Sequence, residues 1–351
     1  MTALPAWADR LLLPLLNLLL ALGLTAALMA AIGRDPVAAL RALAIGSLGS
    51  ADAFGYTLYY TTDLIFAGLA VAVAFQGGLF NIGVEGQASL AGLGVALAML
   101  GLEHLPAWLS IPAGILAGAA FGAAWGALPG WLQARRGSHI VITTIMLNIV
   151  AASLMVYLLV NVLIAPGSMA PETRRFSAAL PRLAAIAPVN LALPLAILAA
   201  LLVWLLLWRT PWGYALRVLG ESPEVARYAG IAPVPMVVGV MALSGALASG
   251  IAVNELLGAQ HRLLLGFTGG AGFTGIAVAL MGRNHPFGIL LSGLLFGALT
   301  QGGAELAFDV PDVPSEIVVL IQGLVILLAG AMGKLLRTPL ARLLARFPAR
   351  P

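Results

Sequence analysis

Long apolar runs follow one another along almost the whole sequence, and most approach the ~20 residues that a helix needs to cross a bilayer. Hydrophobic residues make up 61% of the chain and charged residues 9%, against about 25% charged residues in a typical soluble domain. We therefore predict an all-α polytopic membrane protein, with about ten transmembrane helices in a single transmembrane domain over residues 1–351. The predicted spans are 11–32, 58–76, 86–101, 108–130, 140–165, 191–208, 236–257, 273–282, 286–302 and 316–334.

The positions of Lys and Arg predict which ends of these helices face the cytoplasm. The net charge is +4, but the basic residues lie at the ends of apolar runs, which is typical of membrane topology rather than of nucleic-acid binding. With the N-terminus inside, most Lys and Arg fall in cytoplasmic segments, so both termini are predicted to be cytoplasmic. Arg10 precedes an apolar run that is too long for a signal peptide, which indicates a retained first helix. The basic, amphipathic tail 334–350 is predicted to lie on the inner leaflet.

Two glycine-rich stretches interrupt the apolar pattern. The first, GGLFNIGVEGQ at 77–87, places a carboxylate and two amides between apolar runs, and charge at membrane depth is costly unless it is buried in protein or lines a wet cavity. It is either a cytoplasmic turn between two helices or a broken helix beside a transport path. The second, GFTGGAGFTG at 266–275, faces the other side of the membrane in the predicted topology. Paired breaks of this kind indicate two oppositely oriented repeats.

The sequence contains no recognisable catalytic or nucleotide-binding motif. It lacks the G-x-x-x-x-G-K-[ST] phosphate loop, it has no cysteine, and its four histidines lie in predicted loops. The candidate acidic residues for ion coupling are Asp63, Glu85 and Glu255, and each lies close to the end of a predicted span. Carriers driven by protons or sodium usually need carboxylates buried within their spans, so these positions argue against ion coupling. We therefore expect that this chain is not an enzyme and holds neither a metal nor a cofactor.

The longest predicted cytoplasmic loop, 209–235, is expected to contain a short helix. Ser222 suits the N-cap, Pro223 the first helical position and Glu224 the first turn. Gly230 can adopt the left-handed conformation that ends a helix. A helix of about two turns is marginal on its own, so we expect it to pack against the membrane helices, against a partner, or against both.

Four motifs resemble one family of membrane proteins. The segment GESPEVARYAGI at 220–231 is similar to the coupling-helix loop of ABC importer permeases. The segments GGLFNIGVEGQ at 77–87, TIMLN at 144–148 and TGIAVALMGRNHP at 274–286 resemble the branch that pairs with basic-membrane-protein lipoproteins and imports nucleosides. The wider superfamily also includes ribose-type sugar permeases and branched-chain amino acid permeases.

The resemblance implies a permease subunit that works with several partners in the bacterial inner membrane. These are a second permease subunit in a heterodimer, a cytoplasmic ATPase subunit that binds ATP and Mg²⁺, and an extracytoplasmic substrate-binding lipoprotein. The alternative substrates are simple sugars and branched-chain amino acids. The alternative of another class is a stand-alone carrier or channel. The resemblance places the coupling to the ATPase at Gly220, Glu221, Pro223, Glu224, Ala226, Arg227 and Gly230.

Candidate residues for the translocation path lie in and around the two breaks. Amides suit uncharged solutes that carry hydroxyl groups or bases, because an amide donates and accepts hydrogen bonds without a net charge. Glu85 either bonds a ribose hydroxyl or caps a helix that starts at Gly86. The phenylalanines either stack on a nucleobase or pack between helices. The candidates are Gln76, Phe80, Asn81, Glu85, Gln87, Asn148, Gln260, Phe267, Thr268 and Phe273.

Overall fold

The computed structural model describes residues 35–309, together with isolated positions between 16 and 33 and between 320 and 324. The described part of the chain is built from helices. In chain order they are α1 (Pro36–Leu48), α2 (Ala51–Gln76), α3 (Val84–Gly101), α4 (Ala107–Arg136), α5 (Ile140–Asn161), α6 (Ala192–Arg209), α7 (Pro211–Glu221), α8 (Pro223–Tyr228), α9 (Pro233–Ala252), a π-helical segment (Val253–Gln260), α10 (Ala271–Met281) and α11 (Pro286–Asp309).

Seven of the helices in the described part are long and apolar enough to cross a membrane, with α9 and the π-helical segment counted as one. The prediction of an all-α polytopic membrane protein is therefore confirmed. The count of about ten is not, because the predicted spans 11–32 and 316–334 lie outside the described residues. The predicted span 273–282 corresponds to α10, whose 11 residues extend only about 16 Å at 1.5 Å per residue.

One predicted helix boundary and one predicted loop need correction. The second span starts at Ala51 rather than at residue 58, so Asp63 lies at the centre of α2 and not near its end. The loop 209–235 contains an additional helix, α7, which the sequence analysis missed. Thr210 caps α7 by accepting a hydrogen bond from the Gly213 N–H at 3.1 Å, and Pro211 occupies the first position, where no N–H is required.

Helices α4 and α9 pack with their backbones in direct contact. Glycines recur at every fourth position of α4 from Gly114 to Gly130, and all of them are buried. The Cβ atom of any residue larger than glycine at position 122 would collide with the carbonyl oxygen of Gly245 in α9, and the reverse collision would occur at position 245. Small residues at such a spacing allow membrane helices to approach closely and gain van der Waals contact.

The segment between α5 and α6 covers the end of the π-helical segment. Backbone N–H groups of Leu180 and Phe176 donate to the carbonyls of Leu257 and His261, at 2.8 and 2.7 Å. A helix end leaves its last carbonyls without partners, and this irregular segment supplies donors for two of them. Arg262 adds an ion pair with Glu172, with 2.7 Å between Nη1 and Oε1.

The chain forms two compact units. Residues 58–297 form the larger unit, which contains both glycine-rich breaks. The other unit consists of residues 1–57 and 298–351, and Met29, Leu43 and Leu306 are among the buried residues of its core. The prediction of a single transmembrane domain stays a prediction.

We predict that Gly122→Ile disrupts the packing of α4 on α9. The added side chain meets a backbone carbonyl that cannot change rotamer, so the loss should exceed the ~1–3 kcal/mol typical of overpacking. Ala120→Ile is the matched control, because Ala120 is exposed on the same helix. The midpoint of thermal unfolding of the detergent-purified protein should fall for Gly122→Ile and stay near that of the wild type for Ala120→Ile. Equal midpoints for the two variants would contradict this packing.

Candidate functional site

The first break, between α2 and α3, is held open by an asparagine from α5. Residues 77–83 leave the helical path, with Gly78 in the left-handed region at φ 73°. The side-chain amide of Asn148 donates to the Ile82 carbonyl and accepts from the Gly86 N–H, each at 2.9 Å. In hydrocarbon, backbone groups freed by a break must find partners within the protein. Asn148 provides both partners at the start of α3.

A second asparagine, Asn81, connects the break to α9. Its Oδ1 accepts from the Gly83 N–H at 2.8 Å, and its Nδ2 donates to Gln87 Oε1 at 3.1 Å and to Ser244 Oγ at 2.9 Å. The Ser244 hydroxyl in turn donates to the Ala70 carbonyl at 2.6 Å. The chain of hydrogen bonds therefore joins α2, α3 and α9 through buried polar groups.

The second break lies beside the first. Thr268 donates its hydroxyl to Glu85 Oε1, and the Gly272 N–H donates to Glu85 Oε2 at 2.9 Å. Phe267, next to Thr268, is buried against Gly92 of α3. The two interruptions predicted to face opposite sides of the membrane therefore meet, and Glu85 is the point of contact.

Glu85 caps a helix, but not the one that the sequence analysis assigned to it. Its own helix, α3, begins at Val84, and the Gly86 N–H in its first turn donates to Asn148 and not to Glu85. The carboxylate instead accepts from the first turn of α10, where Gly272 lies. A negative charge at a helix N-terminus is favourable, because the N–H groups there carry a partial positive charge. Glu85 thus joins the starts of two helices that are far apart in the chain.

The short helix α8 is formed as the sequence predicted. It begins at Pro223, the Ser222 hydroxyl accepts from the Val225 N–H at 3.3 Å, and Gly230 has φ 76°. Ala226 is fully buried against the rest of the protein. The surface of α8 is formed by exposed side chains that include Glu224, Val225, Arg227 and Tyr228.

The helix before α8 packs directly on the first break. Gly220, near the end of α7, contacts the Gln76 carbonyl and the backbone of Gly78 so closely that no side chain fits at position 220. Leu216 of α7 packs on Gly77. The backbone at the first break and the α7–α8 pair are therefore in steric contact.

The comparison with known proteins identifies the family. Residues 53–330 match the family described as the branched-chain amino acid transport system / permease component. This chain belongs to that family. The permease is 35% identical to a glucose ABC transporter permease protein of Haloferax volcanii, over 90% of this chain and 85% of that protein. It is 34% identical to a guanosine ABC transporter permease protein of Bacillus subtilis, over 93% and 97%, and 33% identical to a nucleoside ABC transporter permease protein of Lactococcus lactis, over 90% of each chain.

The permease brings together only part of the predicted path residues. Five of the candidates take part in the three sets of hydrogen bonds described above, and we call these residues the break cluster: Asn81, Glu85, Gln87, Asn148 and Thr268. Their role in a translocation path stays a prediction.

The other amide candidates, Gln76 and Gln260, bond residues outside the break cluster. Gln76 donates to the Asn284 carbonyl at 3.2 Å, and Gln260 donates to Glu255 at 2.9 Å. Phe80 packs edge-to-face on Phe75. The remaining aromatic candidate, Phe273, is 49% exposed.

The sequence analysis missed a second buried polar network in the permease. Tyr59, Asp63, Asn190, Asn254 and Glu255 are all buried. Asn254 links them: its Nδ2 donates to Asp63 Oδ1 at 3.0 Å, and its Oδ1 accepts from Asn190 Nδ2 at 2.9 Å. The sequence signal that could have revealed this network is the presence of two acidic residues, Asp63 and Glu255, within apolar runs. Among residues that the structure describes, no group of three or more His, Cys, Asp or Glu is placed to hold a metal ion.

We predict that Glu85 stabilises the contact between the two breaks through hydrogen bonding more than through its charge. Glu85→Ala leaves the Gly272 N–H and the Thr268 hydroxyl without their acceptor, which should cost about 1–3 kcal/mol of stability. Glu85→Gln keeps an oxygen for the Gly272 N–H and offers an N–H to the Thr268 hydroxyl, so its unfolding midpoint should lie between those of Glu85→Ala and the wild type.

Glu103→Ala serves as the control, because Glu103 is in an exposed ion pair with Arg174 and such pairs are worth about 0–1 kcal/mol. Thermal unfolding in detergent is measured for all three variants. Unfolding of Glu85→Gln at the same temperature as Glu85→Ala would show that the charge, and not the hydrogen-bond geometry, is required.

Proposed function

We propose that this permease is the membrane-spanning subunit of an ATP-driven importer of nucleosides. Membership of the permease family supports the transport role. Two of the three relatives described above are named for guanosine or nucleosides. The amide and hydroxyl groups of the break cluster suit an uncharged solute with hydroxyl groups and a base. The proposed direction of transport, into the cell, rests on the resemblance of segment 220–231 to the coupling loops of importers.

The observation that carries the proposal is the position of α8. This helix presents exposed side chains, among them Tyr228 at 94% exposure, and the preceding helix is in steric contact with the first break through Gly220. A partner that moves α8 therefore displaces the backbone next to the break cluster. Such contiguous packing is a physical route by which ATP binding on another subunit can change access to a central site.

The proposed partners follow from this role. An ATPase subunit would dock on α8 and hold ATP and Mg²⁺, so that ATP hydrolysis takes place on a separate chain. A second permease subunit would complete the pathway as a heterodimer, and an extracytoplasmic lipoprotein would deliver the solute. The proposed location is the bacterial inner membrane, with both termini in the cytoplasm.

A sugar is the second candidate substrate, because the relative from Haloferax volcanii is named for glucose. The deciding experiment is uptake into proteoliposomes that contain the permease with its ATPase and its second permease subunit, and with the binding lipoprotein supplied on the outside. Labelled guanosine, ribose, glucose and leucine are compared with and without ATP. We expect ATP-dependent uptake of guanosine. Uptake of glucose alone would transfer the proposal to sugars, and uptake by the permease alone without ATP would overturn it in favour of a carrier.

We predict that Tyr228→Ala weakens binding of the ATPase subunit. The exposed ring offers the largest aromatic contact area on α8, and truncation of such an anchor typically costs more than 1 kcal/mol of binding free energy, which is roughly a fivefold or greater loss of affinity. Glu224→Lys, which reverses a charge on the same helix, should act in the same direction.

Tyr157→Ala is the matched control, because Tyr157 is 60% exposed on α5, away from α8 in the chain. Co-purification of the ATPase and ATP-dependent uptake are both measured, with membrane insertion checked by yield. Equal ATPase recovery for Tyr228→Ala and Tyr157→Ala would argue against docking on α8.

A further inference from the structure

Two acidic side chains meet inside the membrane domain, away from the break cluster. Asp63 lies at the centre of α2, and Glu255 lies in the π-helical segment. They are 5% and 7% exposed. Tyr59, one turn before Asp63 in α2, bonds Glu255, and Asn254, next to Glu255 in the chain, bonds Asp63, so one hydrogen-bonded network holds both carboxyl groups. We call these two residues the acid pair.

The other groups bonded to the acid pair are electrically neutral. The Tyr59 hydroxyl donates to Glu255 Oε1 at 2.5 Å, and Gln260 Nε2 donates to Glu255 Oε2 at 2.9 Å. Asn254 Nδ2 donates to Asp63 Oδ1 at 3.0 Å. A phenol and two amides stabilise one negative charge by hydrogen bonding, but they bring no positive charge to balance two.

Two buried carboxylates in one network of neutral donors would repel each other in a medium of low dielectric constant if both were ionised. A proton on one of them removes that repulsion and makes that carboxyl group a hydrogen-bond donor. We propose that the Asp63–Glu255 acid pair is a binding site for one proton, and that the position of the π-helical segment depends on that proton.

The π-helical segment connects the acid pair to the break cluster. Glu255 lies within this segment. After the segment ends at Gln260, the chain continues through residues 261–267 to Thr268, which bonds Glu85. π-helical turns are uncommon and occur frequently at functional sites. Loss of the proton would leave two negative charges close together. Their repulsion would push Glu255 away from Asp63, and this would move the π-helical segment and, with it, the second break.

The surrounding titratable groups limit the pH range in which the acid pair can be observed. Tyr59 contacts the pair and Tyr60 acts on Tyr59, but tyrosines ionise only near pH 10 in water. His261 follows the π-helical segment. Burial, and then the charges of Arg182 and Arg175, hold the pKa of His261 below its usual range, while a backbone hydrogen bond with Leu257 acts in the opposite direction. His261 is therefore neutral above about pH 6.5, so its titration does not obscure that of the acid pair above this pH.

The proton can be detected without any transport assay, so this test does not depend on the proposed function. Infrared spectra of the purified permease at pH 7 should contain the carbonyl band of a protonated carboxylic acid that is absent from Asp63→Asn. Raising the pH in steps from 7 should reduce the band in the wild type. A band that is unchanged in both Asp63→Asn and Glu255→Gln would place the proton elsewhere and overturn the proposal. Absence of the band, with sodium raising the unfolding temperature of the wild type only, would indicate a cation in its place and also overturn it.

The consequence for transport rests on the proposed function and has a separate readout. In the reconstituted importer, the ratio of uptake at pH 9 to uptake at pH 7 is measured for each variant. We expect uptake by the wild type to be at least about threefold lower at pH 9 than at pH 7, as the proton is lost. The ratios for Asp63→Asn and Glu255→Gln should be closer to 1, because an amide cannot ionise. Asp52→Asn is the matched control on α2, since Asp52 is exposed, and it should follow the wild type. Ratios for both acid-pair variants equal to the wild-type ratio would contradict the link between the proton and transport.

Discussion

Every backbone N–H and C=O group inside hydrocarbon needs a partner within the protein, and this requirement governs the centre of the permease. A helix satisfies it internally, but two breaks in neighbouring helices expose groups that the helices no longer serve. Asparagine side chains replace the missing partners. Asn148 and Asn81 bond the backbone at the first break, and Asn190 accepts from the Ala192 N–H and donates to the Pro188 carbonyl at the start of α6. An amide suits this task because it donates and accepts at once without adding a charge.

The same requirement separates rigid contacts from exchangeable ones. Helices α4 and α9 are in backbone contact at Gly122 and Gly245, and such packing has no alternative arrangement of similar energy. The break cluster is held by hydrogen bonds, each with a net value of about 0.5–1.5 kcal/mol, and water or a solute can replace their partners. Conformational change at the centre of the permease is therefore expected at the breaks, with the α4–α9 contact as the fixed frame.

The sequence predicted what depends on neighbouring residues. Apolar runs located the helices, and Ser222 and Pro223 located the start of α8. The start of α2 was placed too late because polar residues such as Asp52 lower the hydropathy of its first turns. Helix α7 was missed because Pro211 and Gly213 read as a turn, although proline is favoured at the first position of a helix.

Contacts between residues that are far apart in the chain could not be predicted from sequence spacing. Glu85 bonds Thr268 across 183 positions of the chain, and Tyr59 bonds Glu255 across 196. Hydropathy and capping rules act within a few turns, so they identified Glu85 as a capping group but assigned it to the adjacent helix. The choice between its own N-terminus and that of α10 is made by packing, because the collapse of Phe267 onto Gly92 brings Thr268 within reach.

One continuous series of contacts runs from helix α8 to the acid pair. Gly220 is in steric contact with the first break, Glu85 bonds the second break, and the chain from Thr268 back to Gln260 leads to the π-helical segment. The links differ in stiffness, since the first is a close contact between backbones and the second is a pair of hydrogen bonds. With a stiff link followed by an exchangeable one, a movement of α8 would displace the first break. The second break would follow if the hydrogen bonds of Glu85 to Thr268 and Gly272 hold, and would detach if they break.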